Sequence, residues 1–253
     1  MDLGLKDRVY VITGGTSGLG MAAARELVAD GAKVVVSGLA EKSAEAAVTA
    51  LGGSERAVGV AADNADAATP DRLIQAAHSA FGRLDGGLLS VGGPPTGTSE
   101  SITDDQWRTS FESTFLGTIR LSWALAQDLG AGGVIGFVLS TSVYEPIPNL
   151  SISNAFRPGL AGYAKNLADE LGPRGIRVFG LVPAHIDTAR ARQLYGDPEH
   201  PTAARKQAAE TIPLRRFGEP KEFGQSTAFM LSPAASYITG MMMTIDGGIR
   251  HGF

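Results

Sequence analysis

The stretch TGGTSGLG, residues 13–20, decides the fold. It stands between RVYVIT (8–13), a short apolar run rich in β-branched residues, and GLGMAAARELVADGA (18–32), a run at helical spacing. The first reads as a buried parallel strand. The second presents Leu19, Ala23, Leu27 and Val28 on one face and closes at Gly31. A glycine-rich turn from strand to helix is what a dinucleotide pyrophosphate requires. Backbone N–H groups at a helix N-terminus attract the anion, and any Cβ there would hold it away. Gly14 shapes the turn, and Gly18 and Gly20 let helix and strand pack closely. Thr13, Thr16, Ser17 and Leu19 complete the predicted loop.

Outward from this loop the two periods keep alternating. Strands are predicted at 33–38, 57–63, 84–93 (weak and glycine-rich), 133–142, 176–184 and 241–246. Helices are predicted at 41–51, 70–82, 103–130 and 153–171, and from 219 to 232. Strand–helix alternation of this kind predicts an α/β fold, a Rossmann-type doubly wound parallel sheet with helices on both faces. No repeat or linker interrupts it, so residues 1–253 are taken as one domain. A polar, charged segment at 187–216 is expected to cover the substrate.

Composition narrows the function. The 253 residues are 43% hydrophobic and 19% charged, with 33 glycines against 13 prolines, a balance that favours tight turns over disorder. The formal net charge of -4 argues against a nucleic-acid partner. With no cysteine, disulfides and thiolate chemistry are excluded, and His78, His185, His200 and His251 lack metal-ligand spacing. No metal is expected. Neither a signal-like N-terminus nor a bilayer-length apolar run is present, so a cytoplasmic protein with no membrane contact is predicted.

TGGTSGLG resembles the T-G-x-x-x-G-x-G loop of short-chain dehydrogenases/reductases, and the resemblance runs essentially end to end. Asp63, followed by Asn64, looks like the family's adenine-contacting aspartate. GPRGIRVFGLVPAHIDT is similar to the family segment that ends in P-G-x-I-x-T beside the nicotinamide; Ala184 stands for its glycine, flanked by Pro183, Ile186 and Thr188. PLRRFGEPKEFGQSTAFMLSPAASYITGMMMTIDGG resembles the family's C-terminal region, and the whole is similar to members of the 3-oxoacyl-acyl-carrier-protein reductase type. The resemblance implies a nicotinamide cofactor, a small-molecule substrate, and a homodimer or homotetramer assembled through the helices at 103–130 and 153–171.

A ribose 2′-hydroxyl is best held by an acidic side chain, and a 2′-phosphate by a basic one. Here the acidic position after the second strand is Gly38 and the next is Leu39, while Lys42 follows nearby. With no carboxylate to repel a phosphate, NADP(H) is favoured over NAD(H). Lys42 also reads as a solvated residue at a helix start.

Aligned from fixed neighbours, the family's four catalytic positions, asparagine, serine, tyrosine and lysine, fall on Thr114, Ser140, Ser153 and Arg157. The family's N-N-A-G turn is matched by Leu89, Ser90, Val91 and Gly92. Ser153 and Arg157 stay four apart, on one helix face. Arg157 can still donate to ribose hydroxyls, but a guanidinium with a pKa above about 12 does not relay protons. An alkyl hydroxyl is a far weaker and shorter acid than a phenol of pKa about 10. Ser153 is therefore expected to orient substrate or water and not to donate the proton. Tyr144, on the loop after Ser140, and His185, which titrates near neutrality, are alternative donors; each also reads as a packing residue. Tyr163 is expected to point elsewhere, and Tyr195 is not placed by the sequence.

Two functions stay open. One is an atypical NAD(P)-dependent oxidoreductase that moves hydride to or from a small carbonyl or conjugated alkene without the tyrosine acid. The other is a catalytically silent NAD(P)-binding sensor or partner subunit. The segment 187–216 carries Arg190, Arg192, Arg205, Lys206, Arg215 and Arg216. That charge would suit an acyl thioester on an anionic carrier or coenzyme A. It equally describes a solvated basic helix.

Overall fold

The computed structural model describes residues 1–252. Its framework is one seven-stranded parallel sheet in the order β3-β2-β1-β4-β5-β6-β7. The strands are β1 (Val9–Ile12), β2 (Lys33–Gly38), β3 (Ala57–Ala61), β4 (Gly86–Leu89), β5 (Val134–Val138), β6 (Arg177–Pro183) and β7 (Met242–Ile245). The helices are α1 (Gly18–Ala29), α2 (Glu41–Ala50), α3 (Thr69–Phe81), α4 (Asp104–Ser110), α5 (Gly117–Asp128), α6 (Ser151–Leu171), α7 (Ala189–Tyr195), α8 (Ala203–Thr211) and α9 (Pro220–Leu231). The doubly wound parallel sheet predicted from the alternation is the observed one.

Alternate residues of each buried strand feed opposite layers. Tyr10 and Ile12 of β1 pack with Leu27 of α1 and with Phe223 and Met230 of α9. Val9 and Val11 face the other way, into a layer with Leu73 of α3, Leu125 of α5 and Leu160 and Leu167 of α6. Both layers are built of buried apolar side chains, which explains why these strands read as continuous apolar runs and not as alternating ones. Order reverses between β1 and β4, and their C-terminal ends open the crevice in which such sheets bind ligands.

Four stretches differ from the sequence reading. The strand predicted at 133–142 ends at Val138, and the chain turns through a 3-10 turn at Thr141–Val143, where the Ser140 hydroxyl accepts the Ser142 N–H. The helix predicted at 103–130 is interrupted by a π-helical turn at Phe111–Leu116. Gly117 then lies against the Asn64 carbonyl, so closely that a Cβ there would collide with it, and the Thr118 hydroxyl donates back to the Thr114 carbonyl at 2.7 Å. A widened turn is the local way to absorb one extra residue without breaking the helix. The predicted strand 84–93 stops at Leu89, because Ser90 onward leaves the sheet to border the crevice. The segment 187–216 holds two short helices, capped by the hydroxyls of Thr188 on the Ala191 N–H and of Thr202 on the Arg205 N–H. Its own small core is Ala191, Ile212 and Phe217.

Candidate active site

Two adjoining cavities lie over the C-terminal ends of the strands. The first, about 470 Å³, is bordered by Gly38, Leu39, Asp63, Asn64 and Thr114. The second, about 570 Å³, is bordered by Ser17, Gly18, Leu19, Ser140, Ser153, Arg157, Pro183, Ala184, His185, Ile186 and Thr188. Gly14 and the run Ser90–Pro94, which includes Gly92, border both. The result is a trough that crosses the β1/β4 switch point from one compartment to the other.

The glycine loop is built for close approach. Gly14 and Gly18 have φ of 56° and 52°, the left-handed region that favours glycine. A Cβ on Gly14 would stand 2.6 Å from the Ser90 carbonyl, and one on Gly20 would collide with the Gly14 carbonyl. Thr13 is buried and its hydroxyl accepts the Ser90 N–H at 3.0 Å, pinning the two loops that form the saddle of the trough. Ser17 is the N-cap residue of α1, in extended conformation, and its side chain makes no capping bond. The start of α1 therefore faces the second compartment with its N–H groups and helix dipole available to an anion. This cradle fits a dinucleotide pyrophosphate.

At the far end of the first compartment, Leu39 is 79% exposed. A Cβ on Gly38 would meet Thr16 Oγ1 at 2.5 Å. Thr16 thus occupies the space of the missing side chain, and Gly38 is glycine for a packing reason as well. The Asp63 carboxylate accepts the Ala65 N–H at 2.9 Å, which shapes the loop after β3.

In the second compartment, Ser153 and Arg157 are 7% and 6% exposed. They project from the same face of α6 across from the end of β5. Ser153 Oγ lies 3.1 Å from Ser142 Oγ, and the Ser142 N–H donates to Ser140 Oγ at 3.2 Å. Arg157 donates from Nη1 to the Val138 carbonyl at 2.7 Å. Burial lowers its pKa from 12.5 to about 10, below the range expected from the sequence, yet the group remains a cation at neutral pH. No carboxylate lies within ion-pair distance of it among the described residues.

The structure does not bring every candidate together. Thr114 is buried in the first compartment, apart from Ser153 and Arg157. Tyr144 borders neither cavity; its hydroxyl donates to the Met242 carbonyl at 3.1 Å and its ring carries the Arg250 guanidinium at 3.6 Å. It is not placed to protonate a substrate here. Tyr163 points away, accepting from the Ser122 hydroxyl at 3.2 Å. His185 does border the second compartment, but it packs at 5.3 Å from Tyr195 and 5.0 Å from Phe217. Its Nδ1 is buried without a hydrogen-bond partner among the described residues. Burial pushes its pKa down from the ordinary value and so favours the neutral imidazole, away from the poise near neutrality that the sequence suggested. Ser142 escaped the sequence reading as a site residue, and Arg190 was read only as one of several charges on the 187–216 segment. Ser142 is only two residues past Ser140 in STS, a signal too short to separate them.

A family model described as enoyl-(acyl carrier protein) reductase matches residues 14–250. The human dehydrogenase/reductase SDR family member 4 is 32% identical over 96% of this chain and 88% of its own length. The chain belongs to the short-chain dehydrogenase/reductase family. Its structure is similar to that of a short-chain dehydrogenase/reductase from Brucella melitensis, with a TM-score of 0.92 and 26% identity over the whole of both chains. It is also similar to a short-chain dehydrogenase from Burkholderia cenocepacia solved in complex with NADP, with a TM-score of 0.87, 29% identity, and coverage of 97% and 99% of the two chains. This short-chain dehydrogenase/reductase is therefore an NAD(P)-dependent oxidoreductase. Among its described residues, no helix is long and apolar enough to cross a membrane.

Proposed function

We propose that this short-chain dehydrogenase/reductase reduces an activated alkene or carbonyl of a small molecule without a tyrosine acid, with NADP(H) favoured over NAD(H). The observation that carries the reading is the pairing of a buried, uncompensated guanidinium with a serine hydroxyl, one turn apart, beside an intact phosphate cradle. When bound, the nicotinamide supplies the hydride. Gly14, Ser17, Gly18 and Leu19 hold its pyrophosphate, Gly38, Leu39, Asp63 and Asn64 its adenosine half, and Pro183, Ala184, Ile186 and Thr188 the nicotinamide end. Arg157 spends one donor on the Val138 carbonyl, and its remaining donors hold ribose hydroxyls.

For a conjugated alkene, hydride adds to the β-carbon and the displaced electron pair moves onto the carbonyl oxygen. The fixed charge of Arg157 and the Ser140 hydroxyl favour that developing anion. Solvent then protonates the α-carbon, so no strong protein acid is needed. Ser153, anchored to Ser142, orients substrate or water. The segment 187–216 covers the substrate. A screen of activated alkenes and ketones with NADPH deuterated at the reactive carbon tests this. Deuterium should appear at the β-carbon of a product by mass spectrometry. Cofactor binding with no deuterium transfer to any substrate of either class would count against turnover.

A further inference from the structure

The positive charge on the segment that closes the second compartment is unevenly committed. Arg192 and Arg205 both reach Asp187, at 3.4 and 3.1 Å. Arg216 pairs with Glu222 at 2.6 Å, and Arg215 is turned onto the Glu210 carbonyl. Arg190, like Arg215, has no carboxylate in ion-pair distance among the described residues and a neutral hydrogen-bond partner: its Nη2 donates to the Pro94 carbonyl at 3.2 Å. What sets it apart is that it alone of the segment's cations borders the second compartment.

A guanidinium has five N–H donors in a planar fork that matches carboxylate and phosphate oxygens. Arg190 has spent one. Across the same compartment, Arg157 is likewise partnered only by a backbone carbonyl. Against these two cations the lining supplies a single carboxylate, Glu145. A concave wall with excess fixed positive charge and spare donors selects and orients anions.

We propose that Arg190 is the anchor for an anionic group on the substrate, a carboxylate or a phosphate, held from α7 so that the reacting carbon lies toward Ser140 and Ser153. This rests on the reading of the second compartment as the substrate site. The same chemistry could come from the cofactor's pyrophosphate, because Gly93 and Pro94 border both compartments; the test separates the two sources.

Equilibrium binding to the cofactor-saturated full chain needs no turnover, so its outcome is independent of the deuterium experiment. Hexanoate, hexyl phosphate and the neutral hexanamide are titrated by calorimetry into wild type, Arg190→Gln and Arg192→Gln, each saturated with NADP⁺. At least one anion should bind wild type about tenfold or more tightly than the amide, and the tighter anion names the substrate class. Arg190→Gln should abolish the preference, Arg192→Gln should keep it, and NADP⁺ affinity should stay within about twofold. No saturable binding of either anion, or a preference that survives Arg190→Gln, overturns the proposal. A loss of about tenfold in NADP⁺ affinity in Arg190→Gln overturns it too, by assigning the arginine to the cofactor.

Discussion

Replacing Arg157 by methionine should separate binding from stability. An ordinary buried arginine is costly to remove, about 3–5 kcal/mol, because its charged partner is left behind. Arg157 has no such partner among the described residues; one neutral carbonyl, Val138, accepts from it at 2.7 Å. Burial lowers its pKa from 12.5 to about 10, and at about 1.4 kcal/mol per unit that is a desolvation cost of roughly 3 kcal/mol. The unfolded chain therefore holds this proton more tightly than the folded one. Stability from this group rises only as pH climbs above about 10 toward the ordinary arginine value, so the whole cost stands at neutral pH. Methionine removes that cost, keeps most of the packing volume, and forfeits one charged hydrogen bond of about 1.5–3 kcal/mol. Val138 borders the cavity, a source of water to replace the lost donor. The terms nearly cancel, with any surplus favouring the variant. At about 2–4 °C per kcal/mol for a chain of this size, Tm should stay level or rise by a few degrees. Cofactor affinity should fall about tenfold or more for the lost ribose contacts. Arg177 is the control. It is also buried, but it donates to the Met230, Ile238 and Ser232 carbonyls at 3.0, 3.2 and 3.0 Å, and Arg177→Met should lower Tm clearly. Calorimetric Tm and cofactor titration check both variants. A Tm for Arg157→Met as low as that of Arg177→Met, or an unchanged cofactor affinity, would refute the reasoning.

Calorimetric titration should show NADP(H) bound at least as tightly as NAD(H), and a preference for NAD(H) of about tenfold would overturn that. Gly38→Asp must displace Thr16, whose Oγ1 would stand 2.5 Å from the new Cβ, and should move the preference toward NAD(H) by about tenfold in Kd. Ser153→Ala loses the Ser142 contact and should cost at most about 1.5 kcal/mol in kcat/KM on a substrate from the screen; a thousandfold loss, about 4 kcal/mol, would make this serine the chemical group. Burial holds His185 below its ordinary value of 6.5, so the unfolded chain takes up the proton first on acidification. Its contribution to stability is complete above that value and is lost as pH falls below it. Tm of the wild type should thus fall more steeply than that of His185→Phe between about pH 7.5 and 5, and parallel curves would remove His185 from the account.

The sheet was readable because its inner strands are buried on both faces, and continuous apolar runs such as KVVVSG admit few other structures. The errors fall where tertiary contacts overrule local pattern. Residues 103–130 carry one uninterrupted helical period, and nothing within them signals that Gly117 must meet the Asn64 carbonyl. The π-helical turn at Phe111–Leu116 answers to a partner more than fifty residues earlier. The polar segment 187–216 hid α7 and α8 because short helices with little apolar face give no clear period. Their threonine caps, Thr188 and Thr202, were the available signal.

The site divides in the same way. Positions were legible through the family resemblance, since aligning its catalytic positions picks out Ser140, Ser153 and Arg157, and these do border one compartment. Environments were not. Tyr144 stands four residues from Ser140, yet its hydroxyl is committed to the Met242 carbonyl. His185 is a titratable group by type, but it packs against two aromatic rings with a sealed Nδ1, and its burial favours the neutral form. Arg157 shows the limit from the other side. Its lowered pKa still leaves it charged at neutral pH, so burial strengthens its field without making it a proton carrier. On the function proposed above, Ser153 stands in place of a phenol with a buried cation one turn away, a pairing that gives up a proton donor and keeps a stabiliser of negative charge. Chemistry that needs charge stabilisation more than protein-borne protonation is what such a pair can support, and reduction of a conjugated system, with its proton taken from solvent, is of that kind.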